Sequence, residues 1–206
     1  MSIILRRQTD LSNTMYDGIT VLLASKSPRR QQILRECGVP FQLYPLEVHE
    51  DIEEHIPVSG AARYLAEKKA RHVGRLSAGE VLLTADTTVI LENQLLGKPR
   101  DGHEAHAMLS ALSGKMHRVI TGVCLVTKDR SISFDDTTSV YFRELLDSEI
   151  EYYIDHYRPF DKAGAYGIQE WIGLVGIRRI EGSYFNVMGL PIHKVYAALS
   201  DISRAD

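Results

Sequence analysis

The sequence predicts an α/β protein built on a mixed β-sheet, and three observations carry this prediction. Continuous apolar runs that favour strands, such as ITVLLA at 19–24, alternate with helical patterns in the first half of the chain. Two extended runs, 117–127 and 132–142, flank the turn KDRS and are typical of a long antiparallel hairpin. A chain of 206 residues is long enough to bury a substantial core.

The first predicted strand, at 19–24, leads into a helix that begins at Pro28, because a proline at the first helical position loses no hydrogen bond. Ser25 or Ser27 can cap this helix, and Gly38 can end it. The apolar stripe expected on it consists of Ile33, Leu34 and Cys37.

An acidic, irregular stretch at 47–55 separates this unit from the next one. Ser59 is the predicted N-cap of a second helix over 60–74, and a strand over 80–93 is expected to hold Asp86 in its middle or at a break. The remaining elements are a helix at 102–114 with a capping box of Asp101 and Glu104, the hairpin, a helix at 148–157, a strand at 172–180 and a helix at 192–200 that Pro191 opens.

Composition and charge exclude several classes of function. The net charge of −3 gives no broad basic surface for nucleic acid. Cys37 and Cys124 stand in no metal-like spacing and are predicted to be buried, unpaired thiols of a cytoplasmic protein. No run approaches the roughly 18 apolar residues of a membrane span, and the N-terminus lacks the pattern of a signal peptide. We expect an N-terminal extension over 1–18 and a single domain over 19–206.

The segment LASKSPRR indicates an anion site at the start of the first helix. A helix N-terminus offers unpaired N–H groups, Ser25 and Ser27 add hydroxyl groups, and Arg29 and Arg30 add guanidinium groups that match phosphate oxygens. The alternative is a capped helix with solvated arginines.

Further candidates follow along the chain. Asp86, at the end of the apolar run VLLTA, suits a general base or a metal ligand, although an Asp in a turn is equally compatible with the pattern. Lys98 lies on the turn LGKPRD and can neutralise a phosphate. Lys68 and Lys69 lie on the second helix, where lysines usually face water.

The stretch PFDKAGAYGIQ, residues 159–169, combines a pair of adjacent charges with two glycines and an amide. Asp161 and Lys162 are the charges, the glycines permit a close approach of the backbone to a ligand, and the Gln169 amide can both donate and accept at a base edge. The alternative is a glycine-rich loop with a surface ion pair.

Taken in order, LASKSPRRQQIL, ADTTVIL, LGKPRD, LSGKMHRVITGVCL and DKAGAYGIQ…IEGSYFNVMGLP closely resemble the Maf family of nucleoside triphosphate pyrophosphatases over residues 19–199. The resemblance implies an elongated mixed sheet with two lobes around a cleft, similar to the inosine triphosphate pyrophosphatases. It implies hydrolysis of a nucleoside triphosphate to the monophosphate and pyrophosphate with Mg²⁺ or Mn²⁺. It also implies a cytoplasmic protein that forms a homodimer.

The resemblance also assigns roles to residues. Asp86 would accept the proton of the attacking water and contact the metal, while Ser25, Arg30, Lys69 and Lys98 would bind phosphates. Glu50 would be a second ligand of the metal or water. Because the family usually has Val-Asp-Glu where this chain has Val48-His49-Glu50, its rivals are Glu47 and Asp51, and Lys68 is the rival of Lys69.

Three positions resemble the branch of the family that acts on dTTP and UTP, namely Arg29 after Ser-Pro, Thr87 after Asp86 and the glutamine Gln169. In that branch Asp161 and Lys162 would shape the base side of the cleft. The main expectation is therefore a pyrophosphatase for dTTP, UTP or modified pyrimidine nucleotides. The competing expectation is a nucleotide-binding regulator of cell division and septum formation with little turnover.

Overall fold

The computed structural model describes residue 16 and residues 18–204 of the chain. The predicted extension at 1–18 therefore lies almost wholly outside the described residues. The strands are β1 (Thr20–Leu23), β2 (Phe41–Leu43), β3 (Glu80–Leu91), β4 (Gln94–Leu96), β5 (Met116–Val126), β6 (Ser131–Phe142) and β7 (Ile177–Glu181). The helices are α1 (Pro28–Glu36), α2 (Ala61–Arg71), α3 (Gly102–Leu112), α4 (Asp147–Tyr157), α5 (Trp171–Gly176), α6 (Tyr184–Met188) and α7 (Ile192–Ser203).

The strands form one seven-stranded mixed sheet in the order β2-β1-β3-β5-β6-β7, with β4 paired to β3. The pairings β1–β2 and β1–β3 are parallel, whereas those of β3 with β4 and β5, of β5 with β6 and of β6 with β7 are antiparallel. The sheet and its flanking helices confirm the predicted α/β class. The β5–β6 pair confirms the predicted long hairpin.

The long central strand β3 is buried on both faces, and its side chains alternate between two environments. Leu83 and Val89 point into the main apolar core. Leu82 and Ile90 point to the opposite face, where α2 packs. Asp86 therefore faces α2, whereas its neighbour Thr87 faces the main core side.

Local corrections concern the ends of elements. Helix α2 begins after a 3-10 turn at Val58–Gly60, so its N-cap is Gly60 and the prediction of Ser59 is wrong. Asp101 caps α3 by accepting from the Glu104 N–H at 2.9 Å. The Glu104 carboxylate, however, accepts from the N–H of Arg100, one residue earlier than a capping box requires.

The predicted strand at 172–180 is wrong over its first half, because residues 171–176 form the helix α5. A Cβ on Gly173 would lie 1.9 Å from the carbonyl oxygen of Ile168, so only glycine allows the chain to fold back this closely. The prediction of a buried Cys37 is also wrong, because Cys37 is exposed at the C-terminal cap of α1, whereas Cys124 is buried.

Within residues 16 and 18–204, no helix is both long enough and apolar enough to span a bilayer.

His117 on β5 is the one histidine that the core encloses among the described residues. Its Nε2 lies 2.7 Å from the hydroxyl of Tyr166, and its ring stacks on Phe142. Burial lowers the pKa of His117 to about 3, because the imidazolium form would lose its hydration inside the core.

The buried His117 predicts a specific dependence of stability on pH. The pKa in the folded state is lower than that in the unfolded chain, so the free energy of unfolding is largest above about pH 6.5 and falls towards pH 3. His117→Gln, whose amide can still bond Tyr166, should reduce this slope by about 1.4 kcal/mol per pH unit between pH 6 and 4.5. Urea unfolding at several pH values measures the slope. His55→Gln, at an exposed position, is the control, and equal slopes in both variants and the parent would contradict the prediction.

Candidate active site

A gap in the pairing of β3 defines the position of the site. Strand β1 pairs with β3 up to Leu83, and β4 pairs with the same edge from Val89 onwards, while β5 occupies the other edge. The edge of β3 between Leu83 and Val89 is thus left open beyond the carboxyl end of β1. Ligands of open α/β sheets bind at such strand ends, and Asp86 lies in the middle of this gap.

A cavity of about 570 Å³, here called the cleft, lies at this gap, with a volume suited to a small ligand. The loop after β1, the segment 46–50, helix α2, the turn after β4, the segment 161–169 and the end of α6 contribute its walls. All the predicted site residues line it, namely Ser25, Arg29, Arg30, Glu50, Lys69, Asp86, Thr87, Lys98, Asp161, Lys162 and Gln169.

A chain of alternating charges occupies one wall of the cleft. The Lys69 Nζ lies 2.5 Å from Asp86 Oδ1 and 2.8 Å from Glu50 Oε1. The Lys98 Nζ lies 3.5 Å from Glu50 Oε2. Asp86 and Lys69 are largely buried, whereas Glu50 and Lys98 are about half exposed. Two carboxylates therefore converge on one ammonium group where β3 is open.

The structure separates the rival residues of this wall. Lys68 points away from the cleft and donates to the carbonyl of Asp51 at 2.9 Å, and neither residue lines the cavity. Glu47 does line it, but its carboxylate is highly exposed and pairs with Lys26 at 2.6 Å. Lys69 is therefore the lysine that contacts Asp86, and Glu50 is the acidic residue that contacts Lys69.

The buried side chain of Arg30 ties three segments together on the other side of the β3 gap. Its Nε donates to the Gly189 carbonyl at 2.8 Å, its Nη1 to Ser25 Oγ at 3.1 Å and its Nη2 to Thr87 Oγ1 at 3.1 Å. A guanidinium group has five N–H donors, so two remain for a ligand. Burial lowers the pKa of Arg30, and the charges of Asp86 and Glu50 offset part of that effect.

The start of α1 points its unpaired N–H groups towards the same cavity. Ser27 occupies the N-cap position but makes no side-chain cap, and Pro28 is the first helical residue. Ser25 Oγ instead accepts from the Ser27 N–H at 3.2 Å. This arrangement leaves the first turn of a nine-residue helix open to an anion beside Arg30.

A second cluster of charges lines the cleft where α1 faces the segment 161–169. Asp161 accepts from Arg29 Nη1 at 3.0 Å and from Lys162 Nζ at 2.7 Å. Lys162 also lies 3.1 Å from Glu170 Oε1. Burial opposes the ionisation of Asp161, but the hydrogen bonds and charges of Lys162 and Arg29 outweigh it and hold the pKa of Asp161 below its usual value.

The pKa of Glu50 also lies below its usual value, as the net result of opposing effects. Burial would raise the pKa, but the hydrogen bond and charge of Lys69, together with the charge of Lys98, outweigh that contribution. Glu50 is consequently ionised at neutral pH and available as an oxygen ligand.

Several groups that build this site were not among the residues predicted from the sequence. Glu170 contacts Lys162 and accepts from the Tyr153 hydroxyl, whose oxygen in turn accepts from the N–H of Gly167. The Asn186 side chain, fully buried, joins β5 to α6 by accepting from the Thr121 N–H and donating to the Val119 carbonyl. Of these groups, Glu170 alone had an indication in the sequence, namely its position directly after Gln169.

The fold is α/β, and the cleft brings cationic side chains and the start of a helix beside a buried carboxylate, a combination that suits a polyanionic ligand. The chain belongs to the Maf-like protein family, whose model matches residues 20–202. It is 46% identical to a dTTP/UTP pyrophosphatase of Christiangramia forsetii over 88% of this chain and 93% of that protein. It is 43% identical to a dTTP/UTP pyrophosphatase of Porphyromonas gingivalis over 90% and 96% of the two chains. A solved HAM1 protein from Coxiella burnetii is 14% identical in sequence, with a TM-score of 0.38. The alignment covers 60% of this chain and 73% of the HAM1 chain.

The two adjacent arginines should differ sharply in their effect on stability. Arg30→Lys loses at least two of the three buried hydrogen bonds and should lower the free energy of unfolding by about 2–4 kcal/mol. Arg29→Lys keeps a charge beside the exposed Asp161 and should cost less than about 1 kcal/mol. Urea unfolding of both variants measures the difference, and equal losses would show that Arg30 does not tie the three segments together.

Proposed function

We propose that this protein is a nucleoside triphosphate pyrophosphatase that hydrolyses dTTP and UTP to the monophosphate and pyrophosphate. The observation that carries the proposal is the cleft itself, which places the buried Asp86 among the cationic side chains of Arg30, Lys69 and Lys98. Family membership and relatives named dTTP/UTP pyrophosphatase over about nine-tenths of the chain support the same reaction.

The triphosphate is held by charge and by hydrogen bonds. Its oxygens bind the free N–H groups of Arg30, the hydroxyl of Ser25 and the first turn of α1. Lys69 and Lys98 neutralise the charge that develops on the departing pyrophosphate. Phosphate oxygens compete with Glu50 and Asp86 for these two ammonium groups.

Asp86 is the proton acceptor of the reaction. A water oxygen attacks the α-phosphorus, the bond from that phosphorus to the bridging oxygen breaks, and pyrophosphate leaves with the bond's electron pair. The proton of the water passes to the Asp86 carboxylate. The rigid pairing of β3 with β5 through Asp86↔Gly122 holds this carboxylate in place during the attack.

The carboxylates of Glu50 and Asp86 fit a divalent cation, since both are hard oxygen ligands that already converge on one positive charge, the Lys69 ammonium. Mg²⁺ or Mn²⁺ held there would neutralise phosphate charge. His106, Asp147 and Glu151 form another group of possible ligands within 4.8 Å of one another, but these residues do not line the cleft.

The base lies at the end of the cleft formed by Arg29, Asp161 and Lys162, with the Gln169 amide facing its edge. Thr87, fixed by Arg30 and by Thr121 at 2.9 Å, borders the path from the phosphates to the base. The homodimer, the cytoplasmic location and the absence of binding to nucleic acid and membranes stay predictions.

Release of pyrophosphate from a panel of nucleotides tests the proposal. With Mg²⁺ or Mn²⁺ present, dTTP and UTP should give kcat/KM values at least about tenfold above those of CTP, dATP, GTP and 7-methyl-GTP, because the residues at the base end match the pyrimidine branch. Detection of pyrophosphate separately from phosphate shows which bond breaks.

Each other outcome has a definite meaning. Preference for 7-methyl-GTP would keep the reaction and contradict the roles of Arg29, Thr87 and Gln169. Binding of dTTP by the folded protein without release from any nucleotide would support the competing regulator of cell division instead.

A further inference from the structure

The two polar atoms of the Gln169 side chain have different surroundings. Its Nε2 donates a long hydrogen bond of 3.4 Å to Glu170 Oε1. Its Oε1 is buried and accepts no hydrogen bond from the described residues. Since Gln169 lines the cleft, this unpaired acceptor belongs to a residue of the cleft wall. A buried acceptor without a partner is costly unless a ligand supplies the donor.

Glu170 determines which way this amide is turned. One carboxylate oxygen lies 3.1 Å from the Lys162 Nζ, and the other accepts the hydroxyl hydrogen of Tyr153. The same Tyr153 oxygen accepts from the N–H of Gly167 at 3.0 Å. With the Lys162 ammonium at one oxygen and the Tyr153 hydroxyl at the other, the Glu170 carboxylate presents only acceptor oxygens to Gln169. Gln169 must therefore direct its NH₂ group towards Glu170 and its oxygen away from it.

The backbone confines both groups. A Cβ on Gly167 would lie 2.7 Å from Gln169 Nε2 and 2.9 Å from Glu170 Cδ. Any side chain at this position would displace the amide or the carboxylate. Gly167, Gln169 and Glu170 thus form one packed unit in which the amide has little room for another orientation.

We infer that Glu170 is a positioning residue that fixes the Gln169 amide with Oε1 towards the nucleobase, where it accepts from the N3–H of a uracil or thymine ring. The inference rests on the proposed function and concerns its selectivity. Uracil and thymine carry a hydrogen on N3, whereas N3 of cytosine is an acceptor. Two acceptors would face each other if cytosine entered, so the fixed amide rejects CTP.

Glu170→Gln tests this inference, because a neutral amide at 170 can donate as well as accept and no longer forces one orientation on Gln169. We expect the ratio of kcat/KM for UTP to that for CTP to fall by about tenfold, with an absolute gain in turnover of CTP. A gain with one substrate cannot come from partial unfolding. Asp155→Asn, at an exposed position of α4, is the matched control and should keep the parent ratio.

Tyr153→Phe is the second variant and covers the case in which Glu170→Gln does not fold. It removes one of the two partners that hold Glu170 and should shift the ratio in the same direction by a smaller factor. An unchanged ratio in a folded Glu170→Gln, or in Tyr153→Phe, overturns the inference. Failure of the proposed function is distinct, because the parent protein would then release no pyrophosphate from UTP.

Discussion

The site depends on one interaction, the contact of the Lys69 ammonium group with the carboxylates of Asp86 and Glu50. Asp86 is a largely buried carboxylate within a strand, and a charge in that position is strongly unfavourable unless an opposite charge and a hydrogen bond compensate it. Lys69 supplies both for Asp86 and reaches Glu50 as well. Lys69 belongs to α2 and Asp86 to β3. The ion pair between them therefore both joins α2 to the sheet and holds two charged groups of the cleft in place.

The strand lengths explain why the cleft lies where it does. Strand β1 has four residues and β3 has twelve, so β3 extends beyond the end of its parallel neighbour β1. Part of that edge of β3 is therefore unpaired before the pairing with β4 begins. The alternation of side chains then divides the functions. Asp86 faces α2 and the carboxylate–lysine chain, whereas Thr87 faces Arg30 and the end of α6. Adjacent residues thus serve opposite walls of one cavity.

Much of this arrangement could be predicted from the sequence, since periodicity and end signals are local. The strand around Asp86, the helix beginning at Pro28 and the β5–β6 hairpin follow from such patterns. The motif order further indicated which side chains would converge, and they line one cavity. The sequence could not decide between Lys68 and Lys69 as the phosphate ligand, or between Glu50 and Asp51 as the metal ligand. The answer depends on the rotation of α2 about its axis and on the path of an irregular loop.

What the sequence could not predict depends on contacts that local residue patterns do not show. The helix α5 requires glycine at position 173, because a Cβ there would lie 1.9 Å from the Ile168 carbonyl oxygen, and the strand-like pattern gives no sign of this close approach. The short strands β2 and β4 exist only as partners of β1 and β3. The burial of Arg30 could not be predicted, because its partners Thr87 and Gly189 lie 57 and 159 residues away along the chain.

Pyrophosphate release and dTTP binding by Asp86→Asn test the central claim most directly. The asparagine keeps the size and polarity of the side chain but cannot accept a proton from water at neutral pH. Turnover should fall by about a thousandfold while the dissociation constant of dTTP stays within about threefold of the parent value. Asp129→Asn, in the exposed turn between β5 and β6, should behave as the parent. Undiminished turnover in Asp86→Asn would contradict the account, because the buried carboxylate would then not be the base.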